Sequence, residues 1–262
     1  MVHLNKLHEK YSEKGLYVLG IASDPKNAIE SVFIENLGAK YPIAVDSSRA
    51  TLGAFGGGGI PHVYVVDASG RVIGDGHPSE FPEEKLEELL KEAFVPELER
   101  ELHKSLKSAV ASYGKGDIGK AYAAAAKQIE AEDRVLAADA KYLQERCSQY
   151  AAFKRKAIDK RIKNREYAIA LDELKAMQKT FSGMELAAYA AETSKKLSAD
   201  KKVKHELKAW KAYQKAVGVE QKAKGSKSKL EDARVAYQKV RKKYPDTRAG
   251  ELANLADRRL GR

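Results

Sequence analysis

Gly59-Ile60-Pro61-His62-Val63-Tyr64-Val65-Val66-Asp67-Ala68-Ser69-Gly70-Arg71-Val72-Ile73 reads as a loop, a strand, a tight turn and a second strand. Pro61 stands directly before the first strand, where its missing N–H breaks no sheet ladder. Val63 to Val66 is a short apolar, β-branched run, the pattern of a strand buried on both faces. Asp67-Ala68-Ser69-Gly70 supplies turn chemistry, with a glycine free to take positive φ. Arg71-Val72-Ile73 opens the return strand.

Outward from this hairpin, the preceding residues alternate between helix and strand signals. Residues 2–14 place Val2, Leu4, Leu7 and Tyr11 at helical spacing, and Gly15 suits the residue that ends such a helix. Leu16 to Ala22 is an apolar run of the parallel-sheet type. Ser23, Asp24 and Pro25 start a helix carrying Ala28, Ile29, Val32, Phe33 and Leu37, with Gly38 after it. Tyr41 to Val45 is a second short strand, and Ser47 or Ser48 is the expected cap of a helix through Phe55. Gly56 to Gly59 lead into Ile60-Pro61. After the hairpin, Pro82 opens a helix with Leu86, Leu89, Leu90 and Phe94 on one face.

Charge and composition both change near Val95-Pro96. Residues 1–95 carry a net charge of about −5 and residues 96–262 about +16, within a total of +11. Glycine and β-branched residues concentrate before the change; Ala, Lys, Glu and Leu, all good helix formers, dominate after it. The expected division is therefore an α/β domain over 1–95 and an all-α domain over 96–262. No stretch is apolar for the ~18 residues that a membrane-spanning helix needs. Residues 2–20 show no basic start followed by an apolar core. Cys147 is the only cysteine, and one thiol forms neither an internal disulfide nor a two-thiol redox site. The histidines (His3, His8, His62, His77, His103 and His205) show no metal-ligand spacing, so neither a metal nor a cofactor is assigned.

The order helix, strand, helix, strand, loop-proline, strand, strand, helix over residues 1–95 resembles a thioredoxin-like domain of the TlpA/ResA thiol–disulfide reductase type, in the AhpC/TSA redoxin group. Three segments carry the resemblance: His3 to Tyr11, Gly15 to Ala22 and Gly59 to Gly70. It implies that the Ile60–Pro61 bond is cis and that Ile60, Pro61 and His62 line a groove for a peptide or thiol-protein substrate. In that family a first strand leads into a Cys-x-x-Cys pair, and here the alignment would place both before Met1. The chain thus reads as beginning at an internal methionine of a longer protein, or as descending from one. The resemblance also places that first strand between the strands matching Leu16–Ala22 and His62–Asp67. Without it those strands are expected either to leave backbone groups unpaired or to close on each other. Thiol–disulfide exchange needs an accessible low-pKa thiolate and a resolving thiol, so catalytic residues are expected to be absent from this chain.

From Pro96 onward helical stripes follow one another. Leu98, Leu102, Leu106 and Val110 make the first, and Asp117 is the expected N-cap of a return helix with Ile118, Ala121, Tyr122 and Ala125. A long helix carries Leu136, Leu143, Cys147, Tyr150, Phe153, Ala157 and Ile158. Later stripes are Tyr167, Leu171, Leu174 and Met177; Leu186, Tyr189 and Leu197; Val203, Leu207, Trp210 and Tyr213; Leu230, Ala233, Tyr237 and Val240; and Leu252, Leu255 and Leu260. Tyr113-x-x-Gly116-x-x-x-x-Ala121, and Ala233-x-x-x-Tyr237 followed by Tyr244-Pro245-Asp246-Thr247, resemble tetratricopeptide-repeat turns, although the period is not constant. Such TPR-like stacks present surfaces to protein partners. Gly114-x-x-x-x-Gly119-Lys120 nearly matches a phosphate-binding loop, but Ala121 replaces the required Ser or Thr and a helix precedes it, so it reads as a turn. Lys222 to Lys229 is a basic Gly/Ser-containing loop.

Three functional classes follow. The first is a redoxin-family protein of thiol–disulfide oxidoreductase ancestry that lacks its redox pair. The second is a non-enzymatic scaffold whose helices bind a protein. The third is a binder of nucleic acid or another anionic surface; it rests on charge, without an identifiable reading helix, so nucleic acid is not the expected partner.

Overall fold

The computed structural model describes residues 2–55, 60–67, 70–78, 82–91, 93–223 and 226–261. The loop Gly56–Gly59, the turn residues Ala68 and Ser69, and Lys224 and Gly225 of the basic loop lie outside the described residues. The chain divides into two compact units, Met1–Val95 and Pro96–Arg262.

In the first unit, α1 (Val2–Tyr11) buries Leu7 and Tyr11. It closes through a 3₁₀ turn, Ser12–Lys14, onto Gly15, whose φ of 100° is the left-handed conformation that glycine adopts freely. β1 (Gly20–Ala22) pairs in parallel with β2 (Ile43–Val45). Between them, α2 (Lys26–Ala28) continues as a π-helical stretch, Ile29–Asn36. α3 (Ala50–Ala54) starts after Arg49, which has a φ of 56°. The serines expected to cap it play a smaller part than Asp46, which accepts from the backbone N–H groups of Ala50 at 3.1 Å and Thr51 at 2.7 Å. Ser48 Oγ also lies 3.4 Å from the Ala50 nitrogen. A carboxylate reaches two orphan donors at once and favours the positive end of the helix, so it outcompetes a hydroxyl here.

β3 (Val63–Val66) and β4 (Val72–Gly76) form the antiparallel hairpin, with an irregularity between Val65 and Val66. Asp67 organises its turn: its carboxylate accepts from the Arg71 N–H at 3.0 Å and its carbonyl from the Gly70 N–H at 2.8 Å. α4 (Glu83–Leu90) brings Leu86 and Leu90 onto Leu4, Leu7, Tyr11, Leu16 and Val65.

Two departures from the sequence expectation matter. The run Leu16–Ala22 pairs only over Gly20–Ala22, and Tyr17, Leu19 and Ile21 are 67%, 58% and 50% exposed. Furthermore, β1–β2 and β3–β4 are separate two-stranded sheets. The strands do not close on each other, so β1 and β3 each have one edge without a strand partner among the described residues. A strand paired along one edge only has fewer ladder bonds to hold it extended, which accounts for the short length of β1.

The second unit is helical: α5 (Lys107–Gly114), α6 (Ile118–Ala126), α7 (Arg134–Lys163), α8 (Tyr167–Thr180), α9 (Glu185–Ala199), α10 (Lys201–Ala223), α11 (Lys227–Lys243) and α12 (Arg248–Leu260). Leu98 and Leu102 precede α5 in non-helical backbone instead of extending its stripe, yet both pack against the core. One cluster gathers α5 to α9 around Leu143, Cys147, Ile158, Leu174 and Phe181; another joins α10, α11 and α12 around Ala216, Tyr237, Val240 and Ala253. Arg165, directly after α7, reaches between these clusters: it donates to the Asp246 carbonyl at 2.9 Å and pairs with Glu206 and Glu251.

In α12 the leucine stripe fails. Leu255 is 58% exposed, and the buried face is Ala249, Gly250, Ala253, Ala256 and Asp257. Small residues let α12 approach α11 closely, while Asp257 is held by Arg234, Arg241 and Gln238. Asp117 occupies the N-cap position of α6 without a side-chain cap bond; its carbonyl accepts from the Ala121 N–H and its carboxylate faces Lys120 at 3.6 Å. Gly119 has a packing role: a Cβ there would lie 2.0 Å from the Ser182 carbonyl oxygen. The glycine of the near-match to a phosphate loop is thus consumed by helix–backbone contact.

Candidate functional site

The loop before β3 presents Ile60, Pro61 and His62. The Ile60–Pro61 peptide bond is cis, and the Ile60 side chain is 75% exposed. His62 and Tyr64 are two residues apart on an extended backbone, so they share one face. Their rings are 4.8 Å apart, and Phe55, just after α3, tilts onto Tyr64 at 4.7 Å. The hairpin register sets Asp75 opposite Tyr64, and Asp75 Oδ2 lies 3.1 Å from His62 Nε2. Phe55, Tyr64, Val72 and Asp75 line an open cavity of about 390 Å³. Chemically, this is an apolar and aromatic surface with one carboxylate beside an exposed loop, suited to holding an extended chain by shape and a polar contact.

Residue-type reasoning pointed to Ile60, Pro61 and His62 but missed Phe55, Tyr64 and Asp75. The alternation from His62 carried a signal for Tyr64. Asp75 required the hairpin register, and Phe55 required tertiary packing.

A second feature of this unit joins α1 and α4 around the buried Tyr11 ring. The Tyr11 hydroxyl lies 2.6 Å from carboxylate oxygens of both Glu83 and Glu87, and Lys10 pairs with Glu83. Burial, reinforced by those carboxylates, pushes the Tyr11 phenol up to about 12. Hydrogen bonds from Lys10 and Tyr11 hold the Glu83 carboxyl below its ordinary value. This arrangement fastens two helices and leaves no free acid or base.

Cys147 lies on α7 in the other unit, with no exposed surface. Burial pushes its thiol up to about 12, the reverse of what a nucleophilic or redox cysteine needs. Among the described residues no group of three or more His, Cys, Asp or Glu side chains is placed to hold a metal ion. No described helix is long and apolar enough to cross a membrane.

Residues 1–74 match the AhpC/TSA family. The first unit is a thioredoxin-like domain, similar over residues 1–74 to that family. The chain is 30% identical over 73 residues to the thiol-disulfide oxidoreductase ResA of Bacillus thuringiensis (strain Al Hakam), covering 28% of this chain and 42% of that protein. It is 30% identical over 91 residues to ResA of Bacillus thuringiensis subsp. konkukian, covering 35% of this chain and 52% of that protein. ResA of Geobacillus thermodenitrificans is 32% identical over 73 residues, 28% of this chain and 41% of that protein. The chain therefore spans about half the length of the curated relatives it matches. No solved structure matches it.

Proposed function

We propose that the redoxin-like unit carries the peptide-docking side of a thiol–disulfide oxidoreductase of the TlpA/ResA type, and that this chain alone does not catalyse exchange. The observation that carries the reading is the pairing of an exposed Ile60-Pro61-His62 loop, on a hairpin of redoxin sequence, with a sole cysteine that is buried and held as a thiol. The residues that act are Ile60 and His62, which contact the docked chain, and Asp75, which orients His62. Peptide binds along the loop, and electron transfer requires a thiol pair that residues 1–262 do not supply.

Two measurements test this. In a dithiothreitol-driven insulin reduction assay the chain shows no turnover above buffer; turnover that persists in C147S overturns the proposed lack of activity. In an NMR titration with an extended, cysteine-blocked peptide, shifts concentrate at Ile60, His62 and Tyr64 and are lost in I60D. Shifts confined to residues 96–262 favour a second reading, in which the antiparallel helical hairpins, packed in the manner of TPR-like repeats, form a scaffold for a protein partner.

A further inference from the structure

We infer that the outer face of α10 is a docking surface for anionic lipid headgroups. At 100° per residue, Lys204, Lys208, Lys211, Lys215 and Lys222 fall within one stripe of about 60°. The stripe runs about 27 Å along the helix axis. All five lysines are exposed. None makes an ion pair with another described residue.

No acidic side chain of α10 compensates the charge on this face. The two acidic residues of α10 turn inward: Glu206 accepts from the Arg248 N–H at 3.0 Å and pairs with Arg165, and Glu220 accepts from the Tyr237 hydroxyl and pairs with Arg259. Between helices, this unit spends arginines on its ion pairs, as with Arg161 to Glu173, Arg234 and Arg241 to Asp257, and Arg259 to Glu220. The cations of the stripe are all lysine.

Its composition selects the partner. Lysine is a point charge on a flexible stem, without the planar fork that reads a base edge or clamps one phosphate. The helix's aromatic residues, Trp210 and Tyr213, pack on each other at 5.5 Å away from the stripe, so no stacking platform accompanies the charge. The gap between Lys215 and Lys222 is filled on the same face by Val219, which is 38% exposed. An apolar residue within a cationic row suits a headgroup layer, whose charges are mobile and whose interface accepts a methyl group; it leaves a gap against the regular phosphates of a duplex. The opposite face of α10 is committed to the core through Val203, Ala209 and Ala216, so the helix lies on the surface electrostatically and does not insert.

The test is co-sedimentation of the full chain with phosphatidylcholine vesicles, with and without phosphatidylglycerol. Binding is expected only with the anionic lipid and falls as salt rises. Each Lys→Gln change at 208, 211 or 215 is expected to weaken it about fivefold. Gln is also a good helix former, so far-ultraviolet circular dichroism should be unchanged. Matched K156Q, K179Q and K239Q controls, also at exposed lysines, are expected to have a smaller effect. Equal loss in the controls, no binding to anionic vesicles, or tighter binding to duplex DNA at equal phosphate concentration would each overturn the proposal.

Discussion

The two units differ most in what they do with apolar side chains. Among the described residues, the redoxin-like unit buries Leu7, Tyr11, Ile29, Tyr41 and Leu86, yet leaves Tyr17, Leu19, Ile21, Leu37 and Ile60 half exposed or more. The helical unit buries Leu106, Ile118, Leu143, Ile158, Leu174, Phe181 and Tyr237 almost completely. A helix satisfies its own backbone and needs only a stripe of neighbours, whereas a strand needs partners along both edges. Where β1 and β3 each have one partner, backbone and side chains both remain open. The lesson is that exposed apolar surface is unevenly distributed: the open unit holds the exposed Ile60-Pro61 loop, and the closed one holds the buried thiol.

The sharpest break in that comparison is chemical. Cys147 is expected to react with a disulfide reagent at least about a thousandfold slower in the native chain than in denaturant, because reaction requires opening of the helical core. Rapid native reaction, followed by absorbance, would show that this unit is as open as the other.

Next comes hydrogen exchange read by mass spectrometry. Amides of Tyr17–Ala22 are expected to exchange about a hundredfold or more faster than those of Leu143–Ile158. Equal protection would mean that β1 has a partner on its other edge.

A smaller effect separates two glycines of the helical unit. G119A places a methyl group against the Ser182 backbone and should cost about 1–3 kcal/mol in thermal or denaturant unfolding. G218A meets nothing within 4 Å and should stabilise α10 by up to about 1 kcal/mol. Similar outcomes for both would contradict the close approach at Gly119.

The smallest effect is in acid. A hydrogen bond from Gln238, with Arg234 and Arg241 nearby, holds the Asp257 carboxyl below its ordinary value in the folded chain. Its contribution is therefore present above the unfolded carboxyl pKa and is lost as pH falls through the lower folded value. D257N should be less stable than the parent at neutral pH and converge on it in acid; a constant difference across that range would remove the linkage.

Much of this was readable before folding was considered. Gly15 announced its left-handed turn, the Pro61 loop its hairpin and the helical periodicity its α7 to α11. Other features were hidden for specific reasons. Asp46 displaced Ser47 and Ser48 as a cap because a carboxylate four residues before α3 could fold back onto its first N–H groups, which local spacing does not reveal. Leu255 looked like core because it continued a stripe, but α12 packs through Ala249, Ala253 and Ala256.

From sequence alone come the redoxin-like pattern, the helical character of the remainder, the single thiol and the lysine excess, since each depends on residue identity and short-range spacing. Tertiary structure decided which of these are available: it split the strands into two sheets, sealed Cys147, joined His62 to Asp75 and left the lysine stripe of α10 without ion pairs among the described residues. Those outcomes depend on which surfaces meet across the fold, and short-range spacing does not encode such encounters.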